Sequence, residues 1–404
     1  MYLNNSILNF FIATIPKNLR LGFVQKIQKI LEIKLKKMKR KEFLKTTLGA
    51  IGLFGLGSTI LTACKKDETI VASNSSTTDP NPVEVTSCAT ATGFQKIICL
   101  VNALKAQLDA TQLAKLQLNY SKSDAVRWSN FPQQLFNLKR VGLNFGAMNE
   151  VQISYAKALI KELSSNNFSN EGWDEIQQIL NADNYLKTVN PNGGYGSENY
   201  YLAFLGIPSA TGTFAIMFGG HHLAFQNTYK DGVIAGVTPS FRGIEPTGTF
   251  NYAGISNQPL EQENNAFLAV LNSLSSSELA TSKLSPAVTD LVAGPQKDSN
   301  IPTTYSGIKC SNLSTTQKTL VLTAIKTYVL DVAEYASFLA TYEKELENTY
   351  ISYSGNTSLT VRGDYFRIHG PSVWIEWAVQ PPVALPQPHI HSVWRDRTKD
   401  YGGN

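Results

Sequence analysis

Histidine is scarce in this 404-residue chain, with five residues in all, and cysteine is scarcer still, with four. No Cys-x-x-Cys occurs, which excludes a thiolate zinc site of the usual spacing. No Gly-x-Ser-x-Gly, phosphate-binding loop or dinucleotide fingerprint is present, so serine hydrolase, NTPase and Rossmann chemistries have nothing to rest on. Only 17% of residues are charged. Their sum of +5 is uneven: residues 1–63 carry eleven Lys and Arg against Glu32 and Glu42, a net +9, and +5 less +9 leaves −4 for the remainder. That remainder has no cluster of basic residues, so a nucleic-acid partner is not expected.

The basic excess belongs to a targeting segment. From Met38 the chain reads Lys39-Arg40-Lys41-Glu42-Phe43-Leu44-Lys45, then an uncharged stretch, then Leu61-Thr62-Ala63-Cys64. A charged start, an apolar middle and small residues before a cut are the parts of a secretory signal. The ending resembles a bacterial lipobox, which makes Cys64 the expected site of lipidation (palmitate among the acyl chains) and places the mature protein in the bacterial cell envelope, anchored to the membrane. A single transmembrane anchor is the alternative; Gly49, Gly52, Gly55 and Gly57 suit a cleaved signal better. Arg40-Lys41 also resembles a twin-arginine export motif with Lys in second place. Residues 1–37 precede this complete signal and read as an upstream extension, or as an amphipathic membrane-surface helix from Leu21 to Lys37. Residues 64–87, rich in Ser, Thr, Asn, Asp and Pro, read as a flexible tether. The globular domain is expected over 88–404. An exported protein permits disulfides; Cys88 and Cys99 are the nearest pair, leaving Cys310, although spacing does not fix the connectivity.

Within the domain the hydrophobic period changes more than once. Helices are predicted from about Gly93, over Met148–Ser164 and over Trp173–Asn184. Short strands follow at Tyr200–Phe204, Thr213–Phe218, His222–Tyr229 and Val233–Thr238, with Lys230-Asp231-Gly232 as a hairpin turn. Helix returns at Glu261–Ala280 and as one long element over Thr315–Tyr350, then strands at Ser358–His369 and Ser372–Gln380. Three capping boxes recur, Asp109–Gln112, Ser275–Glu278 and Ser314–Gln317, marking helix starts and hinting at a duplicated helical unit. Helices and strands are segregated, which predicts an α+β fold: helices packed on an antiparallel sheet in one large domain.

Four of the five histidines fall in two pairs, His221-His222 and His389-x-His391. In an extended strand His389 and His391 share a face, the spacing a transition metal can clasp. Adjacent His221 and His222 point to opposite faces of a regular strand, so either one ligates or Gly219-Gly220 forms a bulge that turns both inward. Imidazole-rich ligation without thiolate suits Zn, Cu or Fe. Glu376, on the strand preceding the His-x-His stretch, is the candidate fourth ligand or general base, or pairs with Arg367 or Arg395. Arg395 is the candidate to orient a substrate anion, or pairs with Asp396. His369 reads as a turn residue. Two functions follow: a metal-dependent enzyme that hydrolyses or oxidises an unknown small-molecule substrate, or an envelope lipoprotein that binds metal or ligand without turnover.

Five stretches, Trp128-Ser129-Asn130-Phe131-Pro132, Gly206-Ile207-Pro208-Ser209-Ala210-Thr211-Gly212, Gly220-His221-His222-Leu223, Thr238-Pro239-Ser240-Phe241 and Asp364-Tyr365-Phe366-Arg367-Ile368 through Asp400-Tyr401-Gly402, resemble the exported-protein family of domain of unknown function three thousand five hundred. The resemblance covers roughly Cys88 to Gly403 and implies an exported protein of bacterial origin, with no activity attached.

Overall fold

A computed structural model describes residues 79–136 and 139–403. The signal segment, Cys64 and the upstream extension fall outside the described residues. Among those described, nine α-helices and a twelve-stranded sheet build an α+β domain, and no helix is long and apolar enough to cross a membrane. The helices are α1 (Gly93–Lys105), α2 (Ala110–Leu116), α3 (Lys122–Ala125), α4 (Glu150–Leu163), α5 (Trp173–Val189), α6 (Glu261–Ser273), α7 (Ser276–Ser282), α8 (Thr315–Val329) and α9 (Ala336–Glu345). Eight strands reach five residues: β1 (Tyr201–Leu205), β2 (Thr213–Gly219), β3 (Leu223–Lys230), β4 (Ser240–Ile244), β5 (Tyr350–Ser354), β6 (Tyr365–His369), β7 (Val373–Gln380) and β8 (His389–Asp396).

These eight lie side by side in the order β1-β2-β3-β4-β8-β7-β6-β5, antiparallel throughout. Among the described residues, parallel pairing occurs where Gln117–Leu118 joins β1 and at the isolated Lys283–Tyr353 bridge on β5. β4 and β8 thus form a seam between two four-stranded halves, although some 150 residues of chain separate them.

The halves repeat one plan. Capping boxes at Asp109–Gln112 and Asn149–Gln152 in the first match Ser275–Glu278 and Ser314–Gln317 in the second. The Gln152 amide donates to the Gln107 carbonyl at 2.8 Å as Gln317 donates to Ser273 at 2.9 Å. Phe145 N–H to Tyr200 O and Cys310 N–H to Thr349 O are both 2.8 Å. Gln117 pairs in parallel with Phe204 as Lys283 does with Tyr353. The expected helix duplication is therefore the visible part of a duplicated helix-and-sheet unit.

One face of the sheet is buried under helices, with Ile97, Leu159, Ile179, Phe204 and Phe218 in one cluster and Phe267, Ile325, Ile375, Trp377 and Trp394 in the other. The opposite face, carrying Phe241, Ala378 and Val393, is covered by loops that bring Trp128, Leu291 and Tyr401 down onto it. Loops are where a rigid sheet can present chemistry.

Three expectations need correction. The long helix predicted over Thr315–Tyr350 breaks into α8 and α9 and ends in β5. At the break Asp331 and Val332 are drawn into pairing with Ser164 and Ser165: Ser165 N–H reaches Asp331 O at 2.7 Å and Ala333 N–H reaches Leu163 O at 3.2 Å. The apolar spacing that suggested one helix is shared by α8, α9 and the strand that follows. Second, the folded body begins earlier than composition indicates. Asp79 Oδ2 lies 2.6 Å from the ammonium of Lys157, a fully buried group that cannot stay charged there without a counterion. Third, Arg395 does not pair with Asp396, because neighbours on a strand face opposite ways. The sequence leaves the cysteine pairing open; Cys88 and Cys99 are disulfide-bonded, and Cys310 is free and buried.

Candidate metal centre

The centre is assembled at the seam. On β8, His389, His391, Val393 and Arg395 face the loop side; on β7 their partners are Gln380, Ala378, Glu376 and Trp374. On β4 the residue opposite His391 is Gly243. The turn between β2 and β3 then delivers His222. Gly220 N–H closes that turn on Leu223 O at 2.8 Å, and Gly243 N–H binds His222 O at 2.7 Å. His222 has φ 62°, a left-handed conformation in which histidine is tolerated better than most residues. A Cβ on Gly243 would come within 2.7 Å of the His222 ring. Glycine at 243 therefore leaves the space into which the imidazole lies.

His221 and His222 both sit in the turn rather than in the strand, and neither the regular-strand nor the bulge expectation describes them. His222 joins the other pair: His222, His389 and His391 each offer a ring nitrogen within 4.8 Å of the others. His221 does not join. Its ring stacks on His222 with centroids 3.6 Å apart, and its Nδ1 is 2.6 Å from Asp183 Oδ1 on α5. Tyr195 packs 5.0 Å from the same ring, and the His221 carbonyl accepts the hydroxyl of Tyr200.

The hydrogen bonds constrain the tautomers. His389 Nδ1 lies 2.7 Å from the Pro381 carbonyl, which can only accept, so Nδ1 carries the proton and Nε2 holds a lone pair. His389 Nε2 and His391 Nε2 are 3.1 Å apart. Two nitrogens bound to one tetrahedral zinc at about 2.0–2.1 Å are separated by about 3.3 Å. Because His389 Nε2 accepts, the bridging proton belongs to His391 Nε2, and an ion would take that proton's place with the pair already near ligand spacing. The amide nitrogen of Asn130 lies 3.3 Å from His391 Nδ1 and 3.5 Å from its Nε2, packed against that ring. Such outer contacts orient metal-binding imidazoles.

All three rings are buried, with His222 3%, His389 4% and His391 9% exposed. Burial pushes the pKa of His389 down to about 4, and pushes His222 and His391 well below the ordinary 6.5, with the neighbouring imidazoles adding to the shift. Neutral imidazole is the form that ligates, so the rings remain available well below neutral pH.

The other expected site residues lie elsewhere. Glu376 is fully buried; Val292 N–H (2.6 Å) and Tyr365 hydroxyl (2.7 Å) donate to Oε1, Ala293 N–H (2.8 Å) and the Trp374 indole (2.7 Å) to Oε2. Burial raises its pKa against these donors. It pins the loop at 292–293 to the sheet, and the structure does not bring it into the histidine group. Arg395 points the same way along β8 but is held by Asp400 at 2.7 Å, Asp298 at 2.5 Å and Ala293 O at 2.9 Å. His369 ends β6, sandwiched by Tyr305 and Trp374, with both nitrogens unpartnered and its pKa lowered by burial to about 3.

Sequence reasoning missed a second group whose oxygens fall within one ion's reach: Glu171, Glu175, Glu263 and Asp331. It lies behind the histidines, on the helix face, where the next residue of β4 is Arg242. Arg242 Nη1 contacts Asp331 Oδ2, and lies 3.2 Å from both Glu175 Oε2 and Glu263 Oε1. A guanidinium already stands where a cation would. Burial, with the neighbouring carboxylates adding to it, raises the pKa of Glu171, Glu175 and Glu263 and so favours their protonated forms. Their contributors are far apart in sequence, and no motif announces them.

No curated protein and no solved structure matches the chain. A family model described as "Protein of unknown function (DUF3500)" matches residues 90–403. The sequence resemblance, the duplicated sheet and the histidine turn at its seam fall within that span; the chain belongs to the DUF3500 family.

Proposed function

We propose that this chain is an exported, lipid-anchored metalloprotein in which His222, His389 and His391 bind one transition-metal ion that acts on a small-molecule substrate. The observation that carries the reading is the convergence of three neutral imidazoles, from a turn and a strand 167 residues apart, with His389 and His391 near ligand spacing. Three ligands leave a tetrahedral ion one open position. An ion bound there would supply Lewis acidity for hydrolysis, or electron transfer for oxidation if it is Cu or Fe. The chain's own part is to keep the proton on His389 Nδ1, donated to the Pro381 carbonyl, to pack Asn130 against His391 and to keep the site largely dry. Among the described residues no carboxylate joins the three rings, so the bound ion would keep its charge and favour an electron-rich or anionic group.

A non-catalytic binder is the second reading, and one observation favours it. Glu376 and Arg395, the nearest catalytic candidates on these strands, are fully occupied by structural partners. Elemental analysis of the purified, exported protein decides first: close to one Zn, Cu or Fe per chain is expected, and a His389→Ala/His391→Ala double variant should contain almost none. Metal-free wild type would end the enzyme reading and the metal-binding form of the second, leaving a binder of some other ligand. Zinc would point to hydrolysis, a redox metal to oxidation; metal lost with no change in any reaction would leave the binder.

A further inference from the structure

On the helix face of the sheet, behind the end that carries His389, lies a cavity of about 230 Å³. Ile244 of β4, Val379 of β7, Ile390 of β8 and Leu359 give it an aliphatic floor, and the start of α6 gives it a polar wall. The Trp377 ring lines the floor, while its indole N–H, in a residue only 2% exposed, is closed off from the cavity and has no hydrogen-bond partner. Two polar side chains on this lining are unengaged, Asn264 half-buried and Asn265 exposed. The side-chain amides of Asn264 and Asn265 make no hydrogen bond among the described residues.

The duplicated plan shows that this space is not forced by the frame. Aligning the buried stripe of α1 (Ile97, Leu100, Val101, Leu104) on that of α6 (Glu263, Ala266, Phe267, Val270) places Phe94 at Leu260, Ile98 at Asn264 and Cys99 at Asn265. Aligning the Gly220–Leu223 turn on Gly370–Val373 places Tyr229 at Val379. In the first half Phe94 packs on Tyr229 at 5.5 Å and Phe214 stacks on Tyr229 at 5.1 Å. Those rings fill the corresponding space. In the second half leucine and valine stand in for two of them, and amides replace the aliphatic and sulfur side chains.

We propose that this cavity binds a neutral hydroxylated ring compound of about monosaccharide size. A cavity of about 150 Å³ takes a benzene ring, so about 230 Å³ has room for a ring that carries hydroxyl groups. Among the described residues no Lys, Arg or His lines it, so an anion would find no counter-charge. The Asn264 and Asn265 amides can both donate and accept, and the Glu261 carboxylate accepts; a hydroxyl group matches both roles. The aliphatic floor takes the apolar face of a ring. The site stands apart from the metal centre and does not depend on it.

The test is the indole N–H resonance of Trp377, assigned with Trp377→Phe, in ¹⁵N-tryptophan-labelled protein titrated with D-glucose, myo-inositol and cyclohexanol, and with benzoate as the anion. At least one hydroxylated probe should shift that resonance with saturation in roughly the millimolar range, as expected for a small ligand. Asn264→Ala/Asn265→Ala, at surface-reaching positions on α6, should weaken that probe about tenfold, the equivalent of losing one good hydrogen bond. His389→Ala/His391→Ala should leave it unchanged. The proposal is overturned if no hydroxylated probe moves the resonance, if the asparagine variant binds as tightly as wild type, or if benzoate binds as well as they do.

Discussion

The two halves of the sheet share a frame and differ in what they carry. The first half turns from β2 to β3 through Gly220-His221-His222; the second makes the equivalent turn through Gly370-Pro371-Ser372, with Gly370 N–H to Val373 O at 2.7 Å. His222 O accepts Gly243 N–H just as Ser372 O accepts Arg397 N–H at 2.8 Å. At matched positions one half therefore has an imidazole over a glycine and the other a hydroxyl beside an arginine. The Ser372 hydroxyl donates to Glu345 at 2.9 Å and ties the turn to the end of α9. The difference teaches that hydrogen bonding of the frame is separable from chemistry. The backbone contacts recur, and side chains at a few turn and seam positions decide whether a half bears a site.

The largest expected effect tests whether the seam's helix face is purely structural. Arg242→Met would leave buried carboxylates without their cation and should cost about 3–5 kcal/mol in urea unfolding, or prevent folding. His389→Ala/His391→Ala, next door on the loop face, should change stability far less while abolishing metal content. If both variants unfold the protein equally, the division of labour between the faces is wrong. Placing an imidazole in the matching turn of the second half, by Ser372→His, should not raise the ion count above wild type, since no His-x-His strand faces that turn; a second bound ion would erase the distinction between the halves.

A smaller effect concerns orientation. Asn130→Ala should weaken metal binding by about tenfold, the usual scale for losing a contact to a ligand, with little change in the unfolding midpoint of the ion-free protein. Isothermal titration with zinc reads both the affinity and the stoichiometry. Affinity unchanged within twofold would mean that His391 is held by its strand alone.

The smallest effects are in pH dependence, where the two faces oppose one another. His389 has its folded pKa lowered to about 4 from 6.5. Between those values the unfolded chain binds the proton first, so this face contributes fully above pH 6.5 and loses stability as pH falls toward 4. Glu171, Glu175 and Glu263 have folded values raised above the ordinary 4.5. Their contribution is complete below that value and is lost as pH rises through their folded range. Because the two contributions have opposite sign, the readout is the difference: from pH 6.5 toward 4, ion-free His389→Ala/His391→Ala should lose less stability than ion-free wild type, and equal slopes would assign the loss to other groups.

Legibility followed distance along the chain. The histidine pairs, the alternation on β8 and the adjacency of β7 to β8 could be read because each rests on a local period. The turn geometry could not: φ 62° at His222 and the missing Cβ at Gly243 have meaning only once β3 and β4 are paired. Glu376 looked chemical because a buried carboxylate is rare, yet its four donors come from a loop more than 80 residues upstream and from two rings nearby. The break after α8 was hidden because apolar spacing continues through it. Arg242 with its carboxylates was invisible, since a single arginine and four scattered acids have no pattern.

By itself the sequence determined the α+β class, the helix starts at their capping boxes and which histidines could share a strand face, because capping and alternation are set by residues a few positions apart. It also determined membership in a family defined over nearly the whole described domain. Only the tertiary structure decided that His222 rather than His221 meets His389 and His391, that Glu376 and Arg395 are tied to loops, and that the halves repeat. Those outcomes depend on pairing β4 with β8 across some 150 residues, and on desolvation that exists only after that pairing is made.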